Sequence, residues 1–296
     1  MFHYHVFYHF PCSDGEIAKT VWDIYMKQCL NSQLLDNTSI YYKWNHTDIT
    51  DSLQYLQQIN SNDIIVFLDV CPLLKYLYTH HNYIIIDHHQ NAITTMNSDA
   101  LFKNYNIQMF CNISKSGCML TWQFLHKNID YPLLVKYVGS KDIWDFTDIN
   151  TEPYTVGYTN YISNYKNDAR NVKNKLLIKD NTNMLHIKFI ETGQQIIKLK
   201  QQEAIGYFTN IKIIIETYNN INYNIIDIDC TDSSIYKYLV EYATNNFDAD
   251  VLRIMHTITP HTNKKVYSLR SLGDNITVDN IARHYGGNGH PKAAGY

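Results

Sequence analysis

Residues 83–90 read YIIIDHHQ: Tyr83, three isoleucines, then Asp87, His88 and His89. A short continuous apolar run is the pattern of a strand buried on both faces. DIIVFLDV at 63–70 repeats that pattern and also carries an acid at its end, Asp69. Upstream, Phe2–His9 alternates aromatic and β-branched residues with a period near two. Behind Gly15, helical spacing follows through Ala18, Val21, Ile24 and Tyr25. Helical stretches around Leu53–Ile59 and Met119–Leu125 complete a β-α-β-α rhythm, which predicts an α/β fold, a parallel sheet with helices on both faces. Such sheets bind ligands beyond the carboxyl ends of their strands. His9, Cys12 and Asp14 follow the first strand, Asp69 ends the second apolar run, and Asp87, His88 and His89 end the third. Asp142 follows the apolar run Leu133–Val138 and is counted with them. One polar strand end is a capped exit; four at one edge read as a site.

The bulk properties narrow the partners. At 296 residues the chain is long enough for two domains. A hydrophobic content of 45% and a formal charge of -3 argue for a soluble globular protein without a polyanion-coating surface, so any nucleic-acid contact is local. No secretory leader and no bilayer-spanning run is read, and no membrane association is expected. The six cysteines, Cys12, Cys29, Cys71, Cys111, Cys118 and Cys230, form no CxxC pair and read as reduced thiols of a cytoplasmic protein.

Three segments follow from composition. Residues 1–150 form the first α/β domain. Residues 151–205 read as a connection: a polar, Asn- and Tyr-rich stretch to about Asp180, then a long helix from Leu185 to Phe208. Residues 206–296 form a smaller α/β domain with strands in IKIIIET, YNIIDID, DVLRIMHT and VYSLRS. It closes on IARHYGGNGHPKAAGY, a helix running into a glycine-rich turn, and the chain is expected to continue briefly past Tyr296.

Carboxylates and imidazoles without paired cysteines favour a hard-to-borderline divalent ion such as Mn²⁺, with Mg²⁺ or Co²⁺ as substitutes, over structural zinc. The strand ends supply more ligands than one ion needs. Two ions bridged by a shared carboxylate would use them all, and the central Asp69 is the natural bridge. Such a pair activates water and neutralises phosphate oxygens during in-line displacement. His3 and His5 share a strand face with His9 and read as ordinary packed or surface residues.

These residues resemble the DHH phosphoesterases, the superfamily of RecJ exonucleases, nanoRNases, cyclic-dinucleotide phosphodiesterases and manganese pyrophosphatases. The resemblance covers nearly the whole chain. It is carried by YHFPCSDGEIA (8–18), FLDVCP (67–72), IIIDHHQ (84–90), KDIW (141–144) and GGNGHPKAAG (286–295), the last similar to the accessory DHHA1 domain. It implies one ion held by His9 and Asp69, with Cys12 beside them, and a second held by Asp14, Asp69, His88 and Asp142. Asp87 would orient a histidine, and His89 would face the substrate phosphate. Many members carry an acid where this chain has Cys12, although a subgroup shares its YH-x-x-C-x-DG opening. Cys12 is either a thiolate ligand or a residue that lines the site while water completes the shell; the second is favoured.

In the C-terminal motif, Gly286, Gly287 and Gly289 allow close backbone approach and can present N–H groups to a phosphate, and Arg270, His290 and Lys292 add charge-assisted bonds. Asn288 departs from the family's usual GGGH. The resemblance implies a metal-dependent hydrolase of short oligonucleotides or dinucleotides, with a homodimer left open. Its competitors are a RecJ-like single-strand exonuclease, a pyrophosphatase or polyphosphatase, and an inactive scaffold on the same fold.

Overall fold

The computed structural model describes residues 3–296 except 33–37, 46–47, 91–93, 95–102, 128–129, 166–168, 179–182, 210 and 259–264. The chain divides into two units, Met1–Gln194 and Gln195–Tyr296.

The first unit holds a five-stranded sheet in the order β2-β1-β3-β4-β5, with every neighbouring pair parallel. The strands are β1 (Tyr4–His9), β2 (Ser39–Trp44), β3 (Ile64–Leu68), β4 (Asn82–Asp87) and β5 (Asn106–Cys111). The period-two geometry sends Val6, Val66, Leu68 and Ile86 to one face. There they pack with Ile17, Val21 and Trp22 of helix α1 (Ser13–Asn31), with Leu120 of α3 (Gly117–His126) and with Val135 and Val138 of α4 (Leu133–Asp142). Phe7, Ile65, Phe67 and Ile85 face the other way, onto Leu56 of α2 (Thr50–Gln57), Ile59 and Leu77. Each fully buried aliphatic or aromatic side chain contributes about 1.5–3 kcal/mol. Both faces are covered, as the continuous apolar runs require.

Two strands were not foreseen. β2 and β5 are the sheet's edges, and both are largely exposed or half-buried along their length. An edge strand covered on one side needs no continuous apolar run, so SIYYKW and NIQMFC carry little signal.

Residues 151–164 form helix α5 (Thr151–Asn164), followed by α6 (Ala169–Ile178) and the long α7 (Asn183–Gly206). Thr151, Tyr154, Thr155 and Tyr158 are buried at spacings of three and four, and Tyr154, Tyr158, Val172, Leu176 and Phe189 join the core under α1. The helical stretch therefore supplies packing to the first unit. Among the described residues, no helix is long and apolar enough to cross a membrane.

The second unit is a six-stranded mixed sheet ordered β10-β11-β9-β8-β7-β6. Its strands are β6 (Ile213–Tyr218), β7 (Ile221–Asp229), β8 (Val251–Ile258), β9 (Lys265–Ser271), β10 (Asn288–His290) and β11 (Ala293–Gly295). Helix α8 (Tyr236–Asn246) covers one face through Leu239, over Ile226, Leu252 and Ile254. Helix α9 (Asp279–His284) covers the other through Ile281, over Ile225, Val251 and Leu269. The glycine-rich end, expected as a turn, is a short β10–β11 hairpin that extends the sheet from β9.

Candidate metal centre

Strand order reverses between β1 and β3: the sheet proceeds from β1 to β2 on one side and from β3 to β4 and β5 on the other. The carboxyl ends at such a reversal form the crevice where open parallel sheets bind ligands. His9 is the last residue of β1, Asp69 follows β3, and Asp87 ends β4 with His88 and His89 next. Asp14 and Asp142 come from helices, the first turn of α1 and the last residue of α4. The expectation that Asp142 belongs with the strand ends is corrected here. Leu134, Val135 and Val138 bury one face of a helix, whose end delivers the acid.

These side chains converge. Asp69 is 1% exposed. Its Oδ2 lies 3.2 Å from His9 Nδ1 and its Oδ1 lies 3.2 Å from His88 Nε2, which is also 3.2 Å from Asp142 Oδ2. Three groups of donors come within 4.8 Å of one another: His9, Cys12 and Asp69; Asp14, His88 and Asp142; and Asp69, Asp87, His88 and His89. The fully buried Asp87 accepts a 2.7 Å bond from His89 Nδ1 through Oδ1.

The donor set fits a bound cation on two grounds. Asp69 Oδ1, Asp87 Oδ2 and His88 Nε2 are buried without a hydrogen bond, although Asp69 Oδ1 and His88 Nε2 lie at ion-pair distance. Leaving such atoms unsatisfied costs about 1–3 kcal/mol each; a cation accepting lone pairs from Asp69 Oδ1 and His88 Nε2 would satisfy those two. Charge makes the second ground. Burial, then the neighbouring charges of Asp69 and Asp142, push the Asp14 carboxyl well above its ordinary value, and bonds from Cys118 and Ser116 only partly oppose them. Asp142 sits at a helix C-terminus, where negative charge is disfavoured. A cation among these acids removes both penalties.

Burial disfavours the charged form of His88, but its contacts to Asp142 and Asp69 win and raise it to about 10. Burial likewise acts to raise Asp69, and the His88 and His9 contacts outweigh it and hold the carboxyl low. A metal ion bound through His88 Nε2 would displace a proton from the imidazolium. Affinity for a divalent cation is expected to rise with pH up to about 10, with proton release measurable by calorimetry in buffers of different ionisation enthalpy. Binding that is flat between pH 6 and pH 9 would contradict this.

Local backbone fixes the geometry. Asp69 has φ of 58°, in the left-handed region that Asp and Asn tolerate better than most residues. A Cβ on Gly117 would fall 2.5 Å from Asp69 Cβ, and one on Gly15 would strike the His9 carbonyl oxygen. The Asp14 carboxylate accepts bonds from Ser116 Oγ (2.8 Å), Gly117 N (2.6 Å) and Cys118 N (3.0 Å), the cap and first turn of α3. Sequence reasoning missed Ser116 and Gly117. Their signal was an N-capping Ser ahead of the apolar stretch GCML.

Cys12 is the residue before α1, with extended backbone, and its sulfur makes no capping hydrogen bond of ordinary geometry. Burial, then the Asp69 charge, push its thiol up to about 12, and the Gly15 N–H opposes them. Beside Asp14 and Asp142 opens a cleft of about 290 Å³ that is also lined by Lys141, Trp144, Phe146 and Tyr158. Trp144 is 79% exposed at φ 58°, and its ring meets Phe146 edge-on at 5.8 Å. A large exposed aromatic in a disfavoured backbone region points to function rather than packing.

His5 and His3 are structural, bonded to Tyr42 and Asp63 and to Thr38 and Asp63 respectively.

In the second unit, register aligns Arg270 with Ala293 and Ala293 with His290, so Arg270 and His290 share a sheet face two strands apart. The half-buried Arg270 guanidinium sits 5.9 Å from the Tyr236 ring centroid. The glycines differ from expectation. The N–H groups of Gly286 and Gly287 donate to Arg283 and Ala282, ending α9, and that of Gly289 meets Asn288 Oδ1. Gly287 and Gly289 let the hairpin close, since a Cβ at either would collide with β11. Lys292 Nζ bonds the carbonyls of Gly273 (2.6 Å) and Asp274 (2.5 Å), which ties down a loop.

No protein-family model matches the chain. Among curated proteins, "Uncharacterized protein R106" of Acanthamoeba polyphaga mimivirus is 22% identical over 298 residues, covering 98% of this chain and 66% of its own length. The chain thus spans just under two thirds of that relative. Among solved structures, an exopolyphosphatase-related protein from Bacteroides fragilis aligns over 99% of this chain and 86% of its own, with TM-score 0.44 and 15% identity. A putative family II inorganic pyrophosphatase from Methanococcus jannaschii aligns over 99% and 93%, with TM-score 0.29 and 13% identity.

Proposed function

We propose that the chain is a divalent-metal phosphoesterase that hydrolyses short oligonucleotides or dinucleotides to nucleoside monophosphates. The observation that carries the reading is an acid and imidazole cluster with an aromatic cleft opening against two of its members, Asp14 and Asp142. His9 and Asp69 would hold one ion, and Asp14, Asp69, His88 and Asp142 the other. The pair, with Mn²⁺ suited to the carboxylate-rich position of Asp14, His88 and Asp142, would activate water and neutralise phosphate oxygens.

The chain's own groups do the rest. The hydrogen bond that His89 Nδ1–H donates to Asp87 raises the His89 pKa and favours the imidazolium, which burial opposes. That cation can stabilise charge on the phosphate and hand its proton to the leaving oxygen. Trp144, Phe146 and Tyr158 offer a base an apolar platform beside the acids. Arg270 and His290 of the second unit are candidates for gripping a substrate phosphate.

The second reading, a pyrophosphatase or polyphosphatase, would use the same acids. The exposed Trp144 favours the nucleotide, because an inorganic substrate has no surface to stack. Base stacking is worth about 1–3 kcal/mol. Trp144→Ala is therefore expected to raise KM for a 5′-phosphorylated dinucleotide by about 5- to 150-fold. If wild type turns over pyrophosphate faster than any dinucleotide and Trp144→Ala changes neither, the second reading takes over. Arg270→Ala should mainly raise KM with kcat little changed; identical kinetics on every active substrate would remove Arg270 from the site.

A further inference from the structure

We propose that the two ion positions are chemically unlike, and that the one formed by His9, Cys12 and Asp69 is a thiolate site selective for a softer ion such as Zn²⁺, Co²⁺ or Fe²⁺. The inference rests on the two-ion reading above. It concerns which ions the centre takes.

The donor sets differ in kind. An imidazole nitrogen, a sulfur and a carboxylate oxygen make up the first; Asp14, His88 and Asp142 supply two carboxylates and an imidazole to the second. Asp69 divides its oxygens between them, with Oδ2 at His9 and Oδ1 at His88. It is almost wholly buried, and the oxygen on the sulfur side, Oδ2, lies 3.2 Å from His9 Nδ1. Thiolate ligands select borderline and soft ions, whereas carboxylate-rich sets suit Mn²⁺ and Mg²⁺. Three protein ligands with room for water or substrate is the arrangement of catalytic rather than structural zinc.

The sulfur is positioned for this. Cys12 stands where a helix ordinarily places a Ser, Thr, Asp or Asn, and its Sγ lies within 4.8 Å of ligand atoms of His9 and Asp69. Gly15 presses against His9 just beyond it, so the backbone that carries the sulfur is fixed against the strand end. On coordination the Cys12 S–H bond breaks, its proton leaves to solvent, and the sulfur lone pair binds the ion; no electron transfer is involved.

Cobalt reports such a bond without reference to activity, because thiolate coordination adds a near-ultraviolet charge-transfer band to the visible ligand-field bands. The metal-free full chain is titrated with Co²⁺ alongside Cys12→Ser and Cys71→Ser, the latter controlling for another thiol in the first unit. The expected result is a near-ultraviolet band in wild type and Cys71→Ser that is lost in Cys12→Ser, while visible bands persist in all three. Circular dichroism establishes that each variant is folded, and Cys12→Asp serves if the serine variant is not. Cobalt bound without the near-ultraviolet band, or a band that survives at Cys12→Ser, overturns the thiolate site and leaves the two-ion reading standing. No cobalt bound by folded wild type overturns both.

Discussion

Asp69→Asn is expected to remove metal-dependent activity, at least about 10⁴-fold in kcat, the scale of deleting one member of a cooperating catalytic unit. The argument is geometric. Each Asp69 oxygen faces a different imidazole, His9 or His88, so one substitution weakens both ion positions. Asparagine keeps the shape and tolerates the left-handed backbone at φ 58°, which alanine accommodates less well. The folded structure should therefore survive, and circular dichroism with Mn²⁺ calorimetry checks the two halves. A folded Asp69→Asn or Asp69→Ala protein with near-normal turnover would sink the bridging role.

Gly117→Ala is expected to damage the same centre from behind. The added Cβ would sit 2.5 Å from Asp69 Cβ and 2.7 Å from Asp69 Oδ1, while the Gly117 N–H must keep its bond to Asp14. Overpacking of this kind costs about 1–3 kcal/mol. A displacement near 1 Å at a reacting site costs on the order of 10²-fold in rate. Thermal denaturation with and without Mn²⁺ should show lowered stability and a smaller metal-induced gain. Unchanged metal stabilisation in Gly117→Ala would mean that Asp69 can shift without consequence.

The legibility of this chain followed burial. β3 and β4 lie inside the sheet, covered on both faces, and so appear as IIVFL and YIII. β2 and β5 lie at the edges and were invisible to the same test. α5 was obscured for a related reason: its buried stripe is Thr151, Tyr154, Thr155 and Tyr158, helical in spacing but not aliphatic. The acids and imidazoles of the centre could be named from sequence because they cluster at strand ends. Asp142 was named on the wrong kind of element, since a short apolar run such as Leu133–Val138 reads alike as strand or helix. The Ser116–Gly117 cradle under Asp14 depends on a contact over a hundred residues apart in the chain, which no local pattern encodes. At the C-terminus the glycines announced close approach, but their N–H groups serve the helix end and hairpin instead of a ligand.

The most direct measurement is AMP release from a 5′-phosphorylated adenosine dinucleotide by the metal-free chain, before and after adding Mn²⁺ and again after chelation. The account predicts no release without metal, turnover with Mn²⁺, and loss of turnover on chelation. Folded protein that binds Mn²⁺ yet releases no AMP from the dinucleotide would contradict the proposed substrate, and turnover undiminished by the chelator would contradict the metal centre itself.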